Sequence, residues 1–110
     1  MLPRRHRLTK EFFKKPPFKK IKRDAPFLWV YVFETPGENA YSFSVPKTAT
    51  KSSVLRNKIK RRARVIVFKN LPRLNKNLSI MFFFKKGSEL MSFKELERNI
   101  LDILQKSKAL

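Results

Sequence analysis

The residues of this sequence best suited to chemistry are cationic and are concentrated between Lys51 and Asn70. Seven Lys or Arg residues and no acid lie between positions 51 and 64. Five polar residues recur at helical spacing on the side of this predicted helix opposite its apolar stripe: Arg56, Asn57, Lys60, Arg61 and Arg64. Lys and Arg bind phosphate, and an Asn amide can donate to a phosphate oxygen or anchor a hydrated metal ion. The segment therefore predicts a helix that binds a polyanion.

Catalysis by side chains has little support in the same sequence. The single histidine, His6, stands among arginines without a neighbouring carboxylate to orient it. Glu95 and Glu97 are two residues apart on a predicted helix, so they face different directions. The sequence also holds no phosphate-binding loop, dinucleotide fingerprint or metal-ligand cluster. An independent nuclease is therefore the weakest of the functional hypotheses.

The composition is consistent with one basic domain over residues 1–110. The formal net charge is +19, an imbalance typical of proteins whose partner is a nucleic acid or an anionic membrane. No apolar run approaches the roughly 20 residues that a membrane-spanning helix needs. The absence of cysteine is compatible with a reducing compartment, and we expect a cytoplasmic location.

Two helices are predicted to pack on the sheet that positions these residues. The basic helix over 51–70 carries an apolar stripe at Leu55, Ile59, Ala63 and Ile66, and Leu71-Pro72 should end it. The last helix starts at a capping box, Ser92 to Glu95, with a hydrophobic staple from Met91 to Leu96. Its core-facing stripe contains Phe93, Leu96, Ile100, Ile103 and Leu104.

Three strands are predicted over 27–33, 40–45 and 78–84, with a weaker edge strand over 18–23. Pro36-Gly37 suits a type II turn, so the simplest interpretation pairs 27–33 with 40–45 as an antiparallel hairpin. In the first of these strands aromatic and aliphatic residues alternate strictly. The aromatic face has two interpretations, a hydrophobic core or an open groove that stacks on unpaired bases, and base rates favour the core. Strand-helix-strand order around the basic helix predicts an α+β sandwich.

The N-terminal segment is basic, with ten Lys or Arg residues and one acid among residues 1–23. Residues 1–8 are expected to be mobile. The rest is either a disordered tail or a docked segment, and docking is favoured because apolar side chains stand among the cations: Leu8, Phe12, Phe13 and Phe18.

The stretch from Val54 to Arg64 resembles the signature helix of the bacterial ribonuclease P protein subunit, Arg-Asn, two residues, Lys-Arg, two residues, Arg. Every signature position is filled. The context is similar as well, because an aromatic strand and Phe43-Ser-Val45 precede the helix, and an apolar strand and an amphipathic helix follow it. One departure is the entry to the helix at Thr50 to Ser53, which is one residue longer than the family pattern.

The resemblance implies a two-layer α-β sandwich, with a mixed four-stranded sheet, about three helices and a left-handed βαβ crossover. It also implies that a catalytic RNA with Mg²⁺, bound mainly by that RNA, removes the 5′ leader of precursor tRNA. The expected partners are thus the catalytic RNA and precursor tRNA, with no protein partner evident. The alternative is a general RNA-binding or ribosome-associated protein of the same fold.

The resemblance further implies two sets of site residues. The five signature residues would contact the catalytic RNA, and Asn57 could in addition hold a hydrated metal ion. The 5′ leader would cross a cleft lined by Tyr31 and by Phe13, or Phe12 if the register differs by one, with Phe18 as a second phenylalanine.

Overall fold

The computed structural model describes residues 20–35 and 39–109, with only the backbone at Lys20. The described strands and helices, in chain order, are β1 (Lys20–Asp24), β2 (Leu28–Glu34), β3 (Tyr41–Ser44), α1 (Ser53–Asn70), β4 (Leu78–Phe84) and α2 (Phe93–Lys106). Short 3-10 helices follow α1 and β4, at Leu71–Arg73 and Ser88–Leu90. The predictions for residues 1–19, including His6, Phe12, Phe13 and Phe18, and for the turn at Pro36-Gly37 lie outside the described residues.

The sheet has the strand order β1-β2-β4-β3. β2 pairs antiparallel with β1 and β4, whereas β3 pairs in parallel with β4. The predicted hairpin between 27–33 and 40–45 is therefore wrong, because β4 lies between these two strands. Two parallel neighbouring strands need a long crossover, and α1 supplies it. The edge position predicted for 18–23 is confirmed, since β1 is the first strand of the sheet.

The two faces of β2 have different environments. Leu28, Val30 and Val32 are buried in the hydrophobic core, where Ile80, Phe82 and Phe84 of β4 join them. Trp29 and Tyr31 are half-buried and lie on the other face of the sheet, while Phe33 on that face is buried but outside the core cluster. The expectation that most of the aromatic rings of this strand belong to the core was wrong, because both described helices pack their aliphatic stripes on the aliphatic face.

α1 is seated by an apolar stripe with helical spacing. The residues that it buries in the core are Ile59, Ala63, Ile66 and Val67. Its first turn is capped by Ser52, whose hydroxyl oxygen accepts a hydrogen bond from the Leu55 amide at 3.2 Å. The helix ends at Asn70, immediately before Leu71-Pro72, as predicted.

α2 confirms the strongest local prediction of the sequence. The Ser92 hydroxyl accepts a hydrogen bond from the Glu95 amide, and the Glu95 carboxylate accepts one from the Ser92 amide, which completes the capping box. The stripe Leu96, Ile100, Ile103 and Leu104 is buried, and Phe93 packs partly against it.

After β4, Gly87 adopts φ +103° where an added Cβ would approach the Phe27 ring at 3.0 Å, so this turn requires glycine.

These elements form a mixed four-stranded sheet with two α-helices on one face, which confirms the α+β class. β3, α1 and β4 form a βαβ unit. A third helix and the left-handed sense of the crossover remain predictions. Among the described residues, no helix is long and apolar enough to cross a bilayer.

Candidate nucleic-acid interface

The signature residues lie along one flank of α1. At 3.6 residues per turn, Arg56, Lys60 and Arg64 follow the border of the buried stripe, and all three are half-buried. Asn57 and Arg61 lie further around the helix and are exposed. The prediction that Arg56, Lys60 and Arg64 lie opposite the apolar stripe was therefore wrong. Half-burial is expected of Lys and Arg side chains whose stems cover apolar surface while their charged ends reach solvent, as at Lys60 and Arg64.

The packing of α1 against its neighbours determines which way the signature flank faces. On the other side of the buried stripe, the Lys69 ammonium lies 3.4 Å from the Glu97 carboxylate of α2. The signature flank must therefore face away from α2. Since α1 packs on β3 and α2 packs on β1 and β2, the signature residues line the β3 edge of the molecule.

Arg56 differs from the other signature residues in what it contacts. Its Nη1 donates hydrogen bonds to the carbonyl oxygens of Thr50 and Lys51, both at 2.9 Å. These carbonyls belong to the loop that enters α1, where the sequence departs from the family pattern. Arg56 thus holds the entry to the helix, a role that the sequence did not predict.

Asn57 is the one signature residue with an oxygen that could approach a metal ion. It offers a single amide oxygen on an exposed helix face, whereas Mg²⁺ in proteins is usually held by carboxylates and phosphates. No three His, Cys, Asp or Glu residues come together in the described part of the chain. These side chains alone therefore do not fit a protein-built Mg²⁺ site.

The second candidate surface is the face of the sheet opposite the helices. Trp29 and Phe83 stack with ring centroids 4.1 Å apart and planes within 8°. The Tyr31 ring stands nearly perpendicular to both, with centroids 4.8 Å from Trp29 and 5.8 Å from Phe83. From β1, the Lys22 ammonium lies 4.6 Å from the Trp29 ring centroid. We call Lys22, Trp29, Tyr31 and Phe83 the aromatic platform.

Several residues on these surfaces were missed by sequence reasoning. Phe83 and Lys22 join the aromatic platform only through strand pairing, with Phe83 opposite Trp29 and Lys22 opposite Tyr31. Phe68 is 45% exposed and lies on the line of α1 that carries Asn57 and Arg61. Its spacing of seven residues from Arg61 was the signal that could have identified it.

Two ionisable side chains have shifted pKa values. The Lys85 ammonium hydrogen-bonds to the Asp24 carboxylate and lowers the pKa of Asp24. Burial raises the pKa of the Tyr41 hydroxyl, although a hydrogen bond from the Asn39 amide at 3.3 Å opposes the shift. Both groups have structural partners, and neither belongs to the signature flank or the aromatic platform.

Three of the other described acids also have structural partners. Glu95 caps α2, Glu97 contacts Lys69, and the Glu89 carboxylate accepts a hydrogen bond from the Gly87 amide. These three carboxylates are therefore engaged in local structure, and neither the signature flank nor the aromatic platform contains an acid.

A family model described as Ribonuclease P matches residues 2–108. The chain belongs to the ribonuclease P protein family. Membership implies a role as the protein subunit of ribonuclease P, association with the ribonuclease P RNA and participation in tRNA processing.

The fold of this ribonuclease P family member is similar to solved bacterial structures. The RNase P protein from Staphylococcus aureus has a TM-score of 0.78 and 20% identity, over 100% of this chain and 95% of that chain. A mutant of the Staphylococcus aureus RNase P protein with defective mRNA degradation activity has a TM-score of 0.81 and 20% identity, over 96% of this chain and 90% of that chain. The RNase P protein from Thermotoga maritima has a TM-score of 0.75 and 20% identity, over 93% of this chain and 97% of that chain. A search of curated proteins found no match.

Proposed function

We propose that this chain binds the catalytic RNA of ribonuclease P through the signature flank and the 5′ leader of precursor tRNA through the aromatic platform. The combined assembly would then remove the leader by hydrolysis. The observation that carries the proposal is the complete signature set on one flank of a helix that the core holds in place. Arg56, Asn57, Lys60, Arg61 and Arg64 provide four cations and one amide over little more than two helical turns.

The electrostatics of the signature flank support an RNA partner. No acid occurs within α1, so the like charges along it repel one another until an external anion neutralises them. A phosphate backbone supplies regularly spaced anions, and its neutralisation releases condensed counterions. The described signature residues other than Arg56 make no ion pair or side-chain hydrogen bond with the rest of the described chain.

The aromatic platform supports a single-stranded partner. Unpaired bases stack on exposed aromatic rings, and each stack contributes about 1 to 3 kcal/mol. A base-paired helix would keep its bases inaccessible to Tyr31. The same proposal has the leader contacted from the N-terminal segment by Phe13, or by Phe12 if the register differs by one, with Phe18 as a second phenylalanine.

Catalysis is assigned to the RNA partner and not to this chain. Mg²⁺ held mainly by the RNA would activate water for attack on the phosphodiester, with Asn57 at most contacting the hydrated ion. The protein residues bind and position the two RNAs. A cytoplasmic location is part of the same proposal.

Reconstitution tests the proposal directly. The purified chain is added to a bacterial ribonuclease P RNA at low Mg²⁺, and precursor tRNA cleavage is measured. Strong stimulation is expected. Lys60→Gln should reduce it by weakening assembly, whereas Lys94→Gln, on the exposed surface of α2, serves as a charge-matched control.

Two other outcomes would favour the alternatives. RNA binding without stimulation of cleavage would indicate a general RNA-binding or ribosome-associated protein. Cleavage by the protein without any added RNA would indicate an independent nuclease. The leader assignment is tested separately, because Tyr31→Ala should weaken precursor tRNA binding more than mature tRNA binding.

A further inference from the structure

We infer that Lys22 and Tyr31 form one nucleotide subsite on the aromatic platform, in which Lys22 contacts the leader phosphate beside the base that stacks on Tyr31. Trp29 serves as a positioning residue in this subsite. The inference rests on the proposed function, because it takes the single-stranded 5′ leader as the occupant.

The strand register places the cation and the aromatic ring side by side. Lys22 of β1 is the Cα partner of Tyr31 of β2, so both side chains project from the same face of the sheet. A nucleotide presents an apolar base and an anionic phosphate within a few ångströms of each other. A neighbouring tyrosine and lysine match these two groups.

Trp29 fixes the position of both groups. Its ring is approached by Phe83 from β4 and by Lys22 from β1, which lie on opposite sides of β2. Its contact with Tyr31 is edge-on, with planes at 86°. With both neighbours in place, Trp29 is poorly placed to stack on a base and instead holds the Lys22 ammonium and the Tyr31 ring.

The charge of Lys22 is available for an external anion. Asp24 lies two residues away on the same face of β1, but Lys85 hydrogen-bonds its carboxylate. Within the described ranges, Lys22 makes no ion pair. Its charge contributes only the weakest of the attractions that lower the pKa of Asp24. A cation held over the Trp29 ring with no ion pair of its own is electrostatically complementary to a phosphate backbone.

β1 offers a matched control at the adjacent position. Arg23 is also an exposed cation of β1, but strand alternation places it on the opposite face, opposite Val30. To the rest of the described chain, its Nη1 makes only a long hydrogen bond, 3.5 Å, to the Lys22 carbonyl. Lys22→Gln and Arg23→Gln therefore remove the same charge from the two faces of one strand.

The experiment uses the assembled protein and catalytic RNA with precursor tRNA and with mature tRNA. Lys22→Gln should weaken precursor binding roughly three- to tenfold and reduce the slope of log affinity against log salt by about one. Arg23→Gln should leave the difference between the two tRNAs unchanged. Lys22→Arg should restore precursor affinity, because it keeps the charge and can lie over an aromatic ring.

The chain contains one tryptophan, so Trp29 emission provides a second readout at the subsite. Precursor tRNA should change this emission, and mature tRNA should not. A Lys22→Gln protein that keeps wild-type precursor affinity and salt slope would overturn the inference, as would equal losses in Lys22→Gln and Arg23→Gln. If the wild-type assembly binds both tRNAs equally, the proposed leader binding fails as well.

Discussion

Arg56 and Thr50 are joined across the entry to α1, where the Arg56 guanidinium donates to the Thr50 carbonyl oxygen at 2.9 Å. The same nitrogen donates to the Lys51 carbonyl. The first signature arginine thus has structural partners before any RNA binds. This arrangement separates it from Arg61, which is exposed and makes no side-chain hydrogen bond within the described chain.

Arg56→Gln should therefore lower the stability of the folded protein. The variant loses two hydrogen bonds from a charged donor that is partly buried, and we expect a loss of about 1 to 2 kcal/mol. Chemical denaturation followed by circular dichroism measures it. Arg61→Gln is the control and should reduce affinity for the catalytic RNA without changing stability. Equal stability of Arg56→Gln and wild type would contradict the role of Arg56 at the helix entry.

Two adjacent residues of α1 should differ sharply in their tolerance of truncation. Ile66 is completely buried, so Ile66→Ala should destabilise the protein by about 2 to 5 kcal/mol through lost apolar contact and a residual cavity. Val65 is 41% exposed, and Val65→Ala should change stability by less than about 0.5 kcal/mol. Urea unfolding of both variants tests which face of α1 is seated on the core. Similar losses at the two positions would be inconsistent with this seating.

The contact between Asp24 and Lys85 should be visible in an acid titration. Lys85 lowers the pKa of Asp24 in the folded protein. The contact therefore stabilises the fold above the ordinary carboxyl pKa, and this stabilisation is lost as pH falls through the lowered value. NMR titration of the Asp24 carboxyl carbon should give a higher midpoint in Lys85→Gln than in wild type. An unchanged midpoint would exclude Lys85 as the cause.

Tyr41 should make stability sensitive to alkaline pH. Burial raises the pKa of its hydroxyl, so the neutral form is favoured in the folded state. Its contribution is complete below the unfolded tyrosine pKa, about 10, and is lost as pH rises through the higher folded value. Denaturation at several pH values should show a steeper decline for wild type than for Tyr41→Phe. Parallel declines would show that Tyr41 is not the responsible group.

Local signals in the sequence predicted the elements well. The strand at 78–84 and the end of α1 before Pro72 agree with the structure. Both signals are local: an apolar run bounded by turn residues favours a strand, and a proline ends the helix that precedes it. The capping box at Ser92 was equally predictable, since its two hydrogen bonds join residues three positions apart. The signature residues were identified from their types and spacing.

Strand pairing and the choice of buried face were not predictable in the same way. The alternation in β3 fits an antiparallel hairpin with β2 as well as a parallel ladder with β4, because side chains alternate identically in both. The alternation in β2 showed that its faces differ, but the burial of Val30 rather than Trp29 depends on distant helices. The contacts of Lys22 and Arg56 could not be predicted from the sequence, because they depend on how the chain folds in three dimensions.

The position of β4 in the sheet also determines when the protein can fold during synthesis. β3 pairs only with β4 in the described sheet, and β4 separates β3 from β2. β1 and β2 can pair before residues 78–84 have emerged from the ribosome, but β3 and the basic α1 then lack the strand that joins them to the sheet. Such non-local pairing slows folding and prolongs the exposure of unpaired strand edges. A chain that ends before Leu78 should therefore leave its cationic helix without a core to rest on, free to bind any RNA nearby.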